Sequence, residues 1–109
     1  MVRKIGMRRL LALLLSFIAI SAYADIPEQD MQALKSAMED RLKDAESARY
    51  KDVRIGKDGI TTCGRVNSKN SYGAYTGYVP FLAIKLSTGK FLVIGIDEAS
   101  ETLCKEKGV

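Results

Sequence analysis

Val79-Pro80-Phe81-Leu82-Ala83-Ile84-Lys85-Leu86-Ser87-Thr88-Gly89-Lys90-Phe91-Leu92-Val93-Ile94-Gly95-Ile96 is the stretch that decides the fold. Two apolar runs rich in β-branched and aromatic residues flank Ser-Thr-Gly-Lys, a turn signal, so the segment reads as two antiparallel strands. In the first, 79–86, Leu82, Ile84 and Leu86 fall on one face and Phe81, Ala83 and Lys85 on the other. Pro80 has no N–H to give a ladder, which points to an edge or a strand entrance. The second run, 91–96, is almost wholly apolar and is expected to be the most buried strand.

Working back from there, Val53 and Ile55 alternate with Asp52 and Arg54 in a short, half-exposed strand. Gly56-Lys57-Asp58-Gly59 supplies a turn with a favourable Asp-Gly pair. The run 60–66, Ile60-Thr61-Thr62-Cys63-Gly64-Arg65-Val66, returns as a strand, and Gly64 within it signals a bulge or a close backbone approach. Further upstream the period changes. Met31, Leu34, Met38, Leu42 and Ala45 recur at steps of three and four, the stripe of an amphipathic helix over about 28–43. Asp25-Ile26-Pro27-Glu28 reads as its start, with a capping-type residue, an early proline and acids in the first turn. After Ile96 the chain is polar apart from Ala99, Leu103 and Cys104; a short helix there would carry Cys104 back toward Cys63. The fold class expected is α+β, with the N-terminal helix packed on a four-stranded, mainly antiparallel meander sheet and one disulfide.

The N-terminus changes how the composition is read. Arg3, Lys4, Arg8 and Arg9 precede an apolar run, 10–20, which ends in Ser21-Ala22-Tyr23-Ala24. Basic head, short apolar core and small-x-small exit form an export signal, expected to be cleaved after Ala24. The run is too short for a spanning helix, which needs roughly 20 apolar residues. Asp25 rather than Cys follows the cleavage point, so no lipid anchor is expected. Met7 precedes Arg8-Arg9, which favours the general export route over the twin-arginine one. The expectation is one domain, 25–109, periplasmic or secreted from a bacterium, with no stable membrane anchor after cleavage. Of 17 basic and 13 acidic residues, four basic ones lie in the signal. The remainder is neutral, which removes the electrostatic warrant for nucleic-acid binding.

A domain of about 85 residues sits near the size at which a core alone is marginal. In an oxidising compartment its two cysteines, Cys63 and Cys104, are expected to form a structural disulfide. The closed loop of about 40 residues would contribute roughly 4 kcal/mol in the chain-entropy model. There is no CxxC spacing for redox work and no His to complete a zinc site, so no metal and no cofactor are expected.

The least generic stretch lies between the hairpins. Tyr72, Tyr75 and Tyr78 recur every third residue over 67–78, separated by Gly73 and Gly77 and accompanied by Asn67, Lys69 and Asn70. Two readings stand. Tyrosine offers a stiff contact area with a polar tip, which suits recognition of a protein, peptide or glycan ligand in the cell envelope. Equally, Gly and Asn build bulges and wide turns, over which the tyrosines would fold back.

Leu42-Lys43-Asp44-Ala45-Glu46-Ser47-Ala48-Arg49-Tyr50-Lys51-Asp52-Val53 and then Cys63-Gly64-Arg65-Val66-Asn67-Ser68-Lys69-Asn70-Ser71-Tyr72-Gly73-Ala74-Tyr75-Thr76-Gly77-Tyr78 resemble a family of small exported bacterial proteins. Its pattern is L-x-D-P-x-S-A-x-F…V…C-G-x-V-N-x-K-N-x-x-G-x-Y-x-G. This chain departs at Ala45, where Pro is common, and at Tyr50, where Phe is common. The resemblance covers about half of 25–109, implies a compact exported domain and transfers no catalytic residue.

With no His and no P-loop, GxSxG, HExxH or EF-hand pattern, the chain reads as a non-catalytic binding or accessory module, inhibitor- or immunity-like, using 67–78. Two rivals have stated conditions. A small envelope hydrolase using carboxylate, Lys or Tyr groups needs a cleft that gathers Asp97, Glu98 and Lys69. A structural envelope component needs the helix stripe to be exposed and self-associating.

Overall fold

The computed structural model describes residues 24–109; the expected export signal, 1–24, lies outside the described residues apart from Ala24. The described elements are β1 (Ala24–Asp25), α1 (Glu28–Met38), β2 (Arg49–Ile55), β3 (Thr61–Lys69), β4 (Tyr75–Lys85), β5 (Phe91–Ile96) and α2 (Glu98–Glu106). The strands pair in chain order, each antiparallel to the next. The result is an α+β domain: an N-terminal helix, a four-stranded antiparallel meander with two-residue β1 added at its edge, a C-terminal helix and a Cys63–Cys104 disulfide.

Alternation along the strands divides the side chains between two faces. Val66, Phe81, Ala83, Phe91 and Val93 meet Leu34 and Met38 of α1 in the main core. Cys63 and Leu82 point the other way and meet Cys104 of α2. The sheet is thus covered on both faces, with α2 as a partial third layer beyond the single helix–sheet pair expected. Lys85 and Asp30 fix α1 to β4 through a 3.0 Å ion pair, and Arg65 and Glu101 fix α2 to β3 through one of 2.7 Å.

Several boundaries differ from expectation. Asp25 lies in β1, opposite Arg54, and the N-cap of α1 is Pro27, with no side-chain cap. The helix ends at Met38, not near Lys43; Arg41 and Leu42 both donate to the Met38 carbonyl as the chain turns off. The apolar period outlives the helix because Leu42 still packs against the core from the connection that follows. The Arg41 guanidinium donates to the Val93 carbonyl at 2.9 Å, so this connection also touches β5.

β5 is not the most buried strand. Phe91 and Val93 are covered by α1, but Leu92 and Ile94 are 52% and 44% exposed because α2 leaves that end of its face bare. Burial is deepest in β3 and β4, at the centre of the sheet. Pro80 is neither in an edge strand nor at a strand entrance. It pairs with Arg65 inside β4, one residue past the last β4–β5 pair, Phe81 with Ile96. The position is an edge only locally, where β4 has outrun β5.

Gly64 has the role its place in a strand suggested. A Cβ there would stand 2.8 Å from the Phe81 ring and 3.1 Å from the Val53 backbone. Phe81 is completely buried, with its ring packed against this glycine. The Asp58-Gly59 turn forms as expected: Asp58 accepts from the Ile60 and Thr61 N–H groups at 2.9 Å and from the Thr61 hydroxyl at 2.6 Å, and Gly59 takes φ +71°.

Candidate functional site

The 67–78 segment is not a loop. β3 runs on to Lys69 and β4 begins at Tyr75, leaving Asn70-Ser71-Tyr72-Gly73-Ala74 as the only connection. Asn70 shapes it, its Oδ1 accepting from the N–H groups of Tyr72 and Ala74. Gly73 takes φ +80°. Backbone bonds close the same turn, the Asn70 N–H donating to the Ala74 carbonyl and the Gly73 N–H to the Asn70 carbonyl, and the Asn70 side chain takes up N–H groups these leave over.

Spacing by three should put Tyr75 and Tyr78 on opposite faces of a regular strand. It does not, because β4 bulges between them. Asn67 pairs with Tyr78 and Lys69 with Tyr75, so one residue of β3 faces two of β4, Thr76 and Gly77. Gly77 takes φ +105°, and its N–H donates to Asn67 Oδ1 at 3.0 Å. The Thr76 hydroxyl donates to the Ser68 carbonyl across the same step. Both tyrosines therefore stand on the face that carries α2.

A second bulge does the same to the cations of β2. Lys51 pairs with Arg65 and Arg54 with Cys63, so Asp52 and Val53 together oppose Gly64. Asp52 is the one non-glycine residue with positive φ, +56°, among those described. An aspartate tolerates this left-handed conformation better than most side chains. Arg49, Lys51 and Arg54 consequently share the face of Arg65, Lys69, Tyr75 and Tyr78.

Cations and rings interlock there. The Arg49 guanidinium lies 4.2 Å from the Tyr75 ring centroid, the Lys69 ammonium 5.4 Å from the same ring, and the Lys51 ammonium 4.6 Å from the Tyr78 ring. Each ring holds its cation by its electron-rich face, an attraction of about 0.5–1 kcal/mol at an exposed site. None of Arg49, Lys51 and Lys69 has a carboxylate within ion-pair distance among the described residues. The Tyr75 hydroxyl donates to the Ser47 carbonyl at 2.8 Å, which ties β4 to the segment after α1.

The strip runs into a groove of about 530 Å³ beside the disulfide. Arg54, Arg65 and Lys105 stand along it with Asp52 and Glu101, and Pro80, Val109 and the two cysteines form its apolar side. The Arg54 guanidinium donates to the Asp52 and Val109 carbonyls, while Arg65 is engaged by Glu101.

The six residues singled out in the sequence thus divide. Lys69, Tyr75 and Tyr78 come together on one face. Asn67 and Asn70 shape the backbone beneath and beside them. Tyr72 stands apart at the turn, 94% exposed. Arg49 and Lys51 belong to the same face and were missed; their i, i+2 spacing opposite the β3 strand was the available signal. Asp97 and Glu98 do not join Lys69. Asp97 caps α2, accepting from the Ser100 N–H and hydroxyl. It follows the Phe81–Ile96 pair and so lies about 15 Å along the sheet from Tyr75. The helix stripe is also spoken for, with Leu34 and Met38 at the centre of the core.

No family model, no curated protein and no solved structure matches this chain.

Proposed function

We propose that this is an exported, non-catalytic binding module whose binding surface is the cation–tyrosine face of the β2–β3–β4 sheet. One observation carries the reading: Arg49, Lys51 and Lys69 are held over the Tyr75 and Tyr78 rings without a carboxylate partner among the described residues. Charged groups in a fold usually find opposite charges or bulk water. Here the β4 bulge turns both rings to the face of three cations, and the ring contacts limit the cations' rotamers while leaving the charge for an incoming group. The face belongs to a rigid sheet rather than to a loop, so little ordering is lost on binding.

Affinity capture from bacterial envelope extract tests the reading, with the disulfide-bonded protein compared against an Arg49→Glu/Lys51→Glu variant of matched thermal midpoint. A ligand retained by the first and lost by the second supports the reading. Equal retention of the same ligand by both counts against it.

A further inference from the structure

The cation–tyrosine face also indicates what kind of ligand it takes; this step rests on the binding reading above and adds its chemistry. Cations already sit over the rings that would stack on a sugar, Arg49 and Lys69 at Tyr75 and Lys51 over one face of Tyr78. What is presented outward is positive charge. Arg49 and Lys51 are alternate residues of a regular stretch of β2, where Arg49, Tyr50 and Lys51 pair in step with Asn67, Val66 and Arg65. Their side chains are therefore spaced by about 7 Å, the distance between alternate side chains of any extended peptide. Along the same line the next feature is the groove, where Pro80, Val109 and the disulfide provide an apolar wall.

We infer that the face binds an extended acidic peptide segment, with carboxylates at alternate positions opposite Arg49 and Lys51 and an apolar side chain two positions further on in the groove beside Cys63–Cys104. Repeat spacing, sign of charge and the apolar seat all select a peptide strand. An anionic polysaccharide would satisfy only the charge.

The probe is the symmetric heptapeptide acetyl-Phe-Thr-Glu-Thr-Glu-Thr-Phe-amide, which presents the same pattern in either chain direction. It is tethered to a sensor surface and the disulfide-bonded protein is passed over it. Its counterpart with both Glu replaced by Gln is the control, and a polyuronate and a sulfated polysaccharide are separate arms. The glutamate peptide is expected to bind about tenfold more tightly than the glutamine one, the scale of two exposed ion pairs acting together. Binding should weaken severalfold as salt is raised from about 50 to about 500 mM, and Arg49→Glu/Lys51→Glu should abolish the preference for glutamate.

Equal binding of the two peptides overturns the assignment. Binding of a polysaccharide but neither peptide, lost in the same variant, overturns the peptide assignment while supporting the face as a binding surface. Binding of any probe that survives the double substitution overturns both. Because both positions are exposed, an unchanged thermal midpoint is expected, and the single variants Arg49→Gln and Lys51→Gln give intermediate losses if the double variant fails to fold.

Discussion

An alanine at position 64 would bring its Cβ within 2.8 Å of the Phe81 ring, and Phe81 is fully buried with no room to retreat. Gly64→Ala is therefore expected to cost about 1–3 kcal/mol, the usual range for overpacking a core, read as a lower urea midpoint at unchanged slope. Tyr50 presents the opposite case. Its ring packs edge-on against Phe81 at 6.3 Å, but its hydroxyl is buried without a hydrogen-bond partner among the described residues. Tyr50→Phe removes that oxygen and is expected to stabilise the protein by about 1 kcal/mol. Burial also pushes the Tyr50 phenol up from 10.0 to about 12. Because the folded-state value is raised, stability is fully present below pH 10 and is lost as pH rises from 10 toward 12. That alkaline loss should be smaller in Tyr50→Phe when unfolding is followed by far-ultraviolet circular dichroism. Asp58 works at the other end of the scale. Hydrogen bonds from the Thr61 hydroxyl and from the Ile60 and Thr61 N–H groups hold its carboxyl below the usual value. Its contribution is present above the ordinary carboxylate pKa and lost as pH falls through the folded one. The stability difference between wild type and Asp58→Ala should accordingly shrink between about pH 5 and pH 2.

At the scale of elements, the two bulges matter more than strand lengths. Without the β4 bulge, Tyr75 and Tyr78 would lie on opposite faces; without the β2 bulge, Arg54 would leave the face of Lys51. Asn67→Ala removes the acceptor that holds the Gly77 N–H, and Gly77→Ala puts a side chain at φ +105°. Each is expected to cost about 1–2 kcal/mol and to weaken ligand binding. Equal binding by an Asn67→Ala protein that stays folded would mean that the bulge does not organise the face. This is also where the sequence was hardest to read. The tyrosine spacing of three and Gly77 were visible, but a spacing of three in a strand has meaning only once a bulge is placed, and register between strands sets that. The helix end at Met38 escaped for a related reason: Leu42 continues the apolar period while its backbone has already left the helix. The hairpin over residues 79–96 was legible because alternation and turn chemistry agree there; the burial of β5 was not, because apolar residues on both faces do not say whether a second layer covers both.

For the whole molecule, a neutral charge total over 25–109 conceals an uneven distribution. Arg49, Lys51 and Lys69, without a carboxylate partner among the described residues, gather at one end of one sheet face, whereas Glu101 pairs with Arg65 at the groove end of that face and Asp30 pairs with Lys85 beside α1. The disulfide borders that face. It joins β3 to α2 across 41 positions of sequence, and α2 forms one wall of the groove. Opening it is expected to lower stability by roughly 4 kcal/mol in the chain-entropy model, seen as a fall in urea midpoint on adding a thiol reductant, with Cys63→Ser/Cys104→Ser behaving alike. Groove binding should decline with it as α2 loosens. The most direct test of the central claim, that the cation–tyrosine face is where ligand is held, is the amide chemical-shift map of the ¹⁵N-labelled protein during titration with the acidic heptapeptide. The expected result is a contiguous set of shifts at Arg49, Lys51, Lys69, Tyr75 and Tyr78, extending to Arg65 and Cys104 at the groove. Shifts confined to the exposed apolar side of β5, around Leu92 and Ile94, would contradict it.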